Sequence, residues 1–95
     1  MTRHLRLAGE TLRVVQGVYW DGGIAIKLAA QDGEPFLTLT TNLPETPTLP
    51  PGEFAVKVWS ENEPHIADIL ASGLCEDTGK RIPTGFVEAH IWRLK

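Results

Sequence analysis

Apolar and polar residues alternate in short runs along this chain, and glycine or proline breaks each run. Leu5 and Leu7 flank Arg6, Ala8-Gly9-Glu10 reads as a turn, and Leu12, Val14 and Val15 open a second run toward Trp20, so the first twenty residues predict a β-hairpin. Asp21-Gly22-Gly23 tolerates positive φ, after which Ile24, Ile26 and Leu28 alternate with Ala25 and Lys27 as a third strand. Asp32-Gly33 is the strongest turn signal and leads into Phe36-Leu37-Thr38-Leu39-Thr40-Thr41, rich in β-formers. These four strands predict an antiparallel meander whose order follows the chain, because hairpins join neighbours.

The alternation then stops. Asn42-Leu43-Pro44-Glu45-Thr46-Pro47-Thr48-Leu49-Pro50-Pro51-Gly52 holds four prolines in eleven residues, which removes amide donors and predicts a stiff surface connector. Phe54, Val56 and Val58 resume the period of two as a fifth strand ending near Trp59. Ser60-Glu61-Asn62-Glu63 fits a capping box, with Asn62 a rival N-cap that places Pro64 in the first turn. Ile66, Ile69, Leu70 and Leu74 share one helical face and Gly73 suits the C-terminal stop, so about three turns of helix are expected to lie on the sheet. Glu76 to Gly85 reads as a polar loop with Gly79-Lys80-Arg81 at its tip. Phe86 to Leu94 reads as a last strand, central or covered on both faces. The expected fold is α+β, a single curved antiparallel sheet in the order β-β-β-β-β-α-β with one helix packed on it.

Length and composition fit that reading. Ninety-five residues make one domain, 1–95, with a core of ordinary size. No apolar run approaches the roughly 20 residues needed to cross a bilayer, and the start of the chain lacks a secretory pattern. Cys75 has no partner for an internal disulfide. A cytoplasmic protein without a membrane partner is expected.

The net charge of -3 conceals a segregation. Between residues 31 and 77 lie nine carboxylates (Asp32, Glu34, Glu45, Glu53, Glu61, Glu63, Asp68, Glu76 and Asp77) against Lys57 alone, while both ends of the chain are net basic. An acidic middle repels a phosphate backbone but attracts a basic protein surface. Solvated strand and helix faces account for many such patterns by themselves.

Residues that carry chemistry are sparse. His4, His65 and His90 fall in a strand, a helix start and another strand, with no i, i+4 pair for a metal. Cys75 follows a helix end, where the dipole does not favour a thiolate. Gly79-Lys80-Arg81 lacks the glycine pattern of a phosphate loop. The chain is therefore read as non-enzymatic, with no cofactor and no metal. Trp20, Trp59 and Trp92 are core or edge-of-core candidates, and any exposed one would mark an interaction surface. The candidate partner-binding residues are Trp59, Glu61, Glu63, Asp68, Glu76 and Asp77.

Glu34-Pro35-Phe36 with Thr40-Thr41-Asn42-Leu43-Pro44, then Lys57-Val58-Trp59-Ser60-Glu61-Asn62-Glu63, Glu76-Asp77-Thr78-Gly79 and Pro83-Thr84-Gly85-Phe86-Val87-Glu88, form an ordered series. Over roughly residues 24–94 it resembles a family of small proteins, a domain of unknown function, carried by phages, plasmids and integrative elements. The resemblance implies an accessory gene of a mobile element and transfers no catalytic residue. The expected function is binding of a host or element-encoded protein, in the manner of an anti-CRISPR inhibitor of host defence, with binding that weakens as salt rises. The alternative is a nucleic-acid-binding accessory protein that gathers Arg3, Arg6, Arg13, Lys80, Arg81, Arg93 and Lys95 on one side of the sheet. Pairing of two copies through an edge strand or an exposed Trp is open.

Overall fold

A computed structural model describes residues 3–42 and 49–95. Seven strands and a short helical segment follow one another: β1 (Arg3–Leu7), β2 (Glu10–Val18), β3 (Ile24–Ala29), β4 (Pro35–Thr38), β5 (Glu53–Val56), a 3-10 segment (Ser60–His65) running into α1 (Ile66–Ala71), β6 (Cys75–Thr84) and β7 (Val87–Leu94). The class is α+β and all pairing is antiparallel.

The first four strands form the expected meander, β1-β2-β3-β4. Its turns use the residues that signalled them. Gly22 and Gly33 take positive φ, while the Asp21 and Asp32 carboxylates accept the amides of Gly23 and Glu34, each at 3.0 Å. Beyond β4 the expectation of one sheet ordered along the chain fails. The last three strands form a second sheet, ordered β5-β7-β6, joined to the first by one isolated bridge between Thr40 and Val56. Thr38 is the last residue of β4, and the Thr40 hydroxyl accepts the Ile26 amide at 3.0 Å, so the chain peels away from β3 as it reaches β5.

The second correction concerns β6. The stretch expected to be a polar loop is a ten-residue edge strand paired to β7. A bulge between Asp77 and Arg81 disguises it, because residues 78–80 have no ladder partners and the alternation loses phase there. The Thr78 hydroxyl donates to the Ile91 carbonyl at 2.6 Å and replaces a ladder bond. β7 is central, as its two apolar faces predict. Trp92 lies in the main core with Phe54, Leu12, Ile26, Leu28 and Ile69, while Ala89 and Ile91 pack on the other side with Ala55 and half-buried Leu49, Trp59 and Ile82.

The helix is shorter than three turns, with six α-helical residues after six in the 3-10 segment. Pro64 sits inside that segment and Ser60 has φ of 59°, so regular α-geometry begins only at Ile66. Neither Ser60 nor Asn62 caps it. The cap positions, Trp59 and His65, make no side-chain cap bond. Asn62 is instead fully buried, and its Nδ2 donates to the Thr38 carbonyl at 2.8 Å and to the Lys57 carbonyl at 2.9 Å. The expected apolar face holds: Ile69 and Leu74 are buried, Ile66 and Leu70 half-buried, and α1 touches both β1 and β6. Most of the proline-rich connector, 43–48, lies outside the described residues.

Candidate interaction surfaces

Two hairpin tips carry the aromatic residues that the core does not use. In the β2–β3 turn the Tyr19 amide donates to the Gly23 carbonyl at 2.7 Å and the Gly22 amide to the Tyr19 carbonyl at 2.9 Å. The Tyr19 hydroxyl bonds the Thr40 hydroxyl at 2.9 Å, which ties the turn to the bridge between the sheets. This closed loop holds Trp20 outward at 90% exposure, with Val18 at 74% and exposed Val15 below it on β2. Between β6 and β7 the loop is only Gly85 and Phe86, since Thr84 pairs with Val87. Gly85 supplies the positive φ, 73°, that a two-residue hairpin loop requires, and Phe86 is left fully exposed. A large aromatic ring held in water by a short, hydrogen-bonded turn is a preformed anchor that loses little conformational freedom on binding.

The six residues singled out from sequence are distributed differently. Trp59 is half-buried against Ala55, Ala89 and Ile91. Glu61 lies 2.8 Å from the Lys57 ammonium, which holds its carboxyl down at about 2. Glu63 and Asp68 are exposed and form no ion pair among the described residues. Glu76 accepts two bonds from Arg93, at 2.6 and 2.9 Å. Asp77 receives both guanidinium nitrogens of Arg81 at 2.8 Å, which lowers its carboxyl below the usual range and raises the Arg81 guanidinium. Three of the five carboxylates are thus tied to cations of the chain itself. Trp59, Glu61 and Glu63 share one turn, while Asp68 on α1 and the β6 pair stand on other elements.

Glu53 is the buried carboxylate of the molecule's second sheet. It accepts a bond from Lys80 at 2.5 Å, lies 3.8 Å from Arg93, and lines an open groove of about 300 Å3 between the β2–β3 turn and residues 49–55. The groove's other carboxylate, Asp21, is occupied by the Gly23 amide. The His65 ring packs tilted against Phe36, with centroids 5.4 Å apart and planes at 56°, and no group of three or more His, Cys, Asp or Glu among the described residues has metal-binding geometry. Burial raises the Cys75 thiol to about 11. No helix among the described residues is long and apolar enough to cross a membrane.

Comparison with protein-family models, with curated proteins and with solved structures returned no match. The surfaces must therefore be read from their own chemistry. Sequence reasoning placed Trp59 among the partner-binding candidates, named Trp20 as an interaction residue only on the condition of exposure, and passed over Phe86. The usable signal was their place: Trp20 directly precedes Asp21-Gly22-Gly23, and Phe86 follows Gly85, so both fall in turns rather than on strand faces.

Proposed function

We propose that this chain is a non-enzymatic binding protein that acts in the cytoplasm and captures a protein partner through the tips of its β2–β3 and β6–β7 hairpins. The observation that carries the reading is the outward display of Trp20 and Phe86 on two short ordered turns. Exposed tryptophan and phenylalanine are costly to leave in water and are enriched at the centres of protein interfaces. The resemblance to mobile-element proteins supports a context in which the partner is a host or element-encoded protein, with a host defence complex the first candidate. Glu63 and Asp68, the carboxylates free of ion pairs among the six candidates, stay available to a basic surface of the same partner.

A quantitative pull-down from host lysate tests this. Wild-type protein is expected to enrich a defined protein, and Trp20→Ala with Phe86→Ala is expected to lose it while the urea melt stays unchanged. Glu63→Gln with Asp68→Asn is expected to weaken capture less, and mainly at low salt. Recovery of the same protein by the aromatic double variant sinks the reading. A second copy of the chain is the competing occupant of the tips, and light scattering would reveal it as a dimer that Trp20→Ala dissociates.

A further inference from the structure

The outward face of the first sheet has a charge pattern that protein capture by the hairpin tips does not use. Leu5, Leu7, Leu12, Ile26, Leu28 and Leu37 point into the core, so the alternate positions point away from it. On β1 these are His4 and Arg6, on β2 Thr11, Arg13, Val15 and Gly17, on β3 Ala25, Lys27 and buried Ala29, and on β4 Thr38, while Phe36 packs against the core beside the β3–β4 bulge. None is a carboxylate, in a chain whose net charge is -3.

Register sets the cations in a row. Arg6 stands opposite Thr11, His4 opposite Arg13, and Lys27 opposite Val15. Arg6 is therefore the diagonal neighbour of Arg13, and Arg13 of Lys27, a spacing of about 7 to 8 Å between successive positions on three adjacent strands. None of the three forms an ion pair among the described residues, whereas Lys57, Lys80, Arg81 and Arg93 all do. Three carboxylates lie near the row without pairing to it: Asp68 of α1 lines a shallow hollow with His4 and Arg6 at the β1 edge, Asp32 of the β3–β4 turn accepts the Glu34 amide, and neither Asp32 nor Glu34 pairs with Arg13. Like charges on diagonal positions of one face repel weakly through water, and a bound anion offsets that repulsion. Small residues border the row, Thr11 opposite Arg6, Thr38 opposite Lys27 and Gly17 opposite Ala25, with exposed Val15 the bulkiest apolar neighbour.

We infer that the outer face of β1-β2-β3 binds the phosphodiester backbone of a nucleic acid through Arg6, Arg13 and Lys27. The cations meet successive phosphates and release the counterions condensed on them, which makes the binding salt-dependent and indifferent to sequence.

Fluorescence anisotropy of a labelled 20-nucleotide DNA, as single strand and as duplex, tests the inference with the full chain. The wild type is expected to bind at least one of the two with a dissociation constant on the order of 10 to 100 µM in low salt. Arg6→Gln, Arg13→Gln and Lys27→Gln together are expected to weaken binding at least tenfold. They should also reduce the slope of log K against log salt by about 2 for a single strand, about 0.7 per lost contact. Because Arg13 is half-buried, the exposed pair Arg6→Gln with Lys27→Gln provides a variant that keeps the fold, with a slope change of about 1.4. Lys57→Gln, off this face, should leave binding as it was. No binding by the wild type, or equal binding by the triple and double variants, overturns the inference. So does loss of an acidic protein from a pull-down with no nucleic acid bound. The Trp20 and Phe86 variants keep this result separate from the proposal for the tips, since they leave the row intact.

Discussion

The two sheets carry the same kinds of charged side chain and treat them in opposite ways. In the second, Glu53 and Glu76 both stand opposite Arg93 across β5, β7 and β6, Lys80 joins Glu53, and Asp77 grips Arg81. In the first, Arg6, Arg13 and Lys27 share a face with no carboxylate. The difference arises from register. Strand order β5-β7-β6 brings the acidic middle of the chain against its basic end, while the meander pairs only the basic beginning with itself. Net charge therefore misdescribes the surface, because four of the nine cations are spent inside the second sheet and its flank. Of the five left, Arg3, Arg6, Arg13 and Lys27 belong to the first sheet, and Lys95 to the chain's end.

The largest expected effect tests whether the contrast lies within one cooperative body. Asn62 donates to the Thr38 carbonyl at the end of β4 and to the Lys57 carbonyl just after β5, so one buried amide fastens the two sheets at their junction. Asn62→Ala leaves both carbonyls without that donor and is expected to cost about 2 to 3 kcal/mol in urea melts. Near- and far-ultraviolet signals should still move together in a single transition. Separate transitions would mean that the sheets unfold independently, and the comparison would then be between two bodies.

Next in size is a direct contrast of charge between the sheets. Glu53→Gln removes a carboxylate whose side chain is only 7% exposed and lies between Lys80 and Arg93. Its partners are half in water, so the loss falls at about 1 to 3 kcal/mol, below that of a fully buried pair. Lys27→Gln on the first sheet is expected to change stability by less than about 0.5 kcal/mol, since no ion pair is broken. Equal costs at the two positions would erase the distinction between structural and free cations.

How legible this was in the sequence depended on how local each signal is. The meander was readable because Asp21-Gly22-Gly23 and Asp32-Gly33 determine their turns through their own φ and side-chain bonds. The central position of β7 was readable because both its faces are apolar. β6 was not, since the bulge at residues 78–80 puts the alternation out of phase and an edge strand offers polar side chains to water. Asn62 was mistaken for a possible cap because its partners, at Thr38 and Lys57, are set by the meeting of two sheets and not by its neighbours. The acidic candidates were chosen by sign alone. Whether Glu76 or Asp77 is free depends on Arg93 and Arg81, and only the strand register reveals that.

The smallest expected effect is acid-dependent and lies beside the second sheet, at the Lys57–Glu61 pair. Both partners lie on the surface, so the pair contributes little at any pH, but its sign is definite. The Lys57 ammonium at 2.8 Å lowers the Glu61 carboxyl from 4.5 to about 2 in the folded chain. A carboxyl depressed by folding adds stability above its unfolded value and loses it as pH falls through its folded value. The Tm advantage of wild type over Glu61→Gln should therefore be complete at pH 6, shrink below pH 4.5 and vanish near pH 2. Raising salt to 1 M at pH 6 should shrink it too, because an exposed pair is screened. Lys57→Gln should abolish the window, because it removes the ammonium that holds the Glu61 carboxyl down. A window that survives Lys57→Gln would mean that the acidic turn is held by the general field of the molecule instead of by Lys57, and the division between paired and free charge would lose its meaning there.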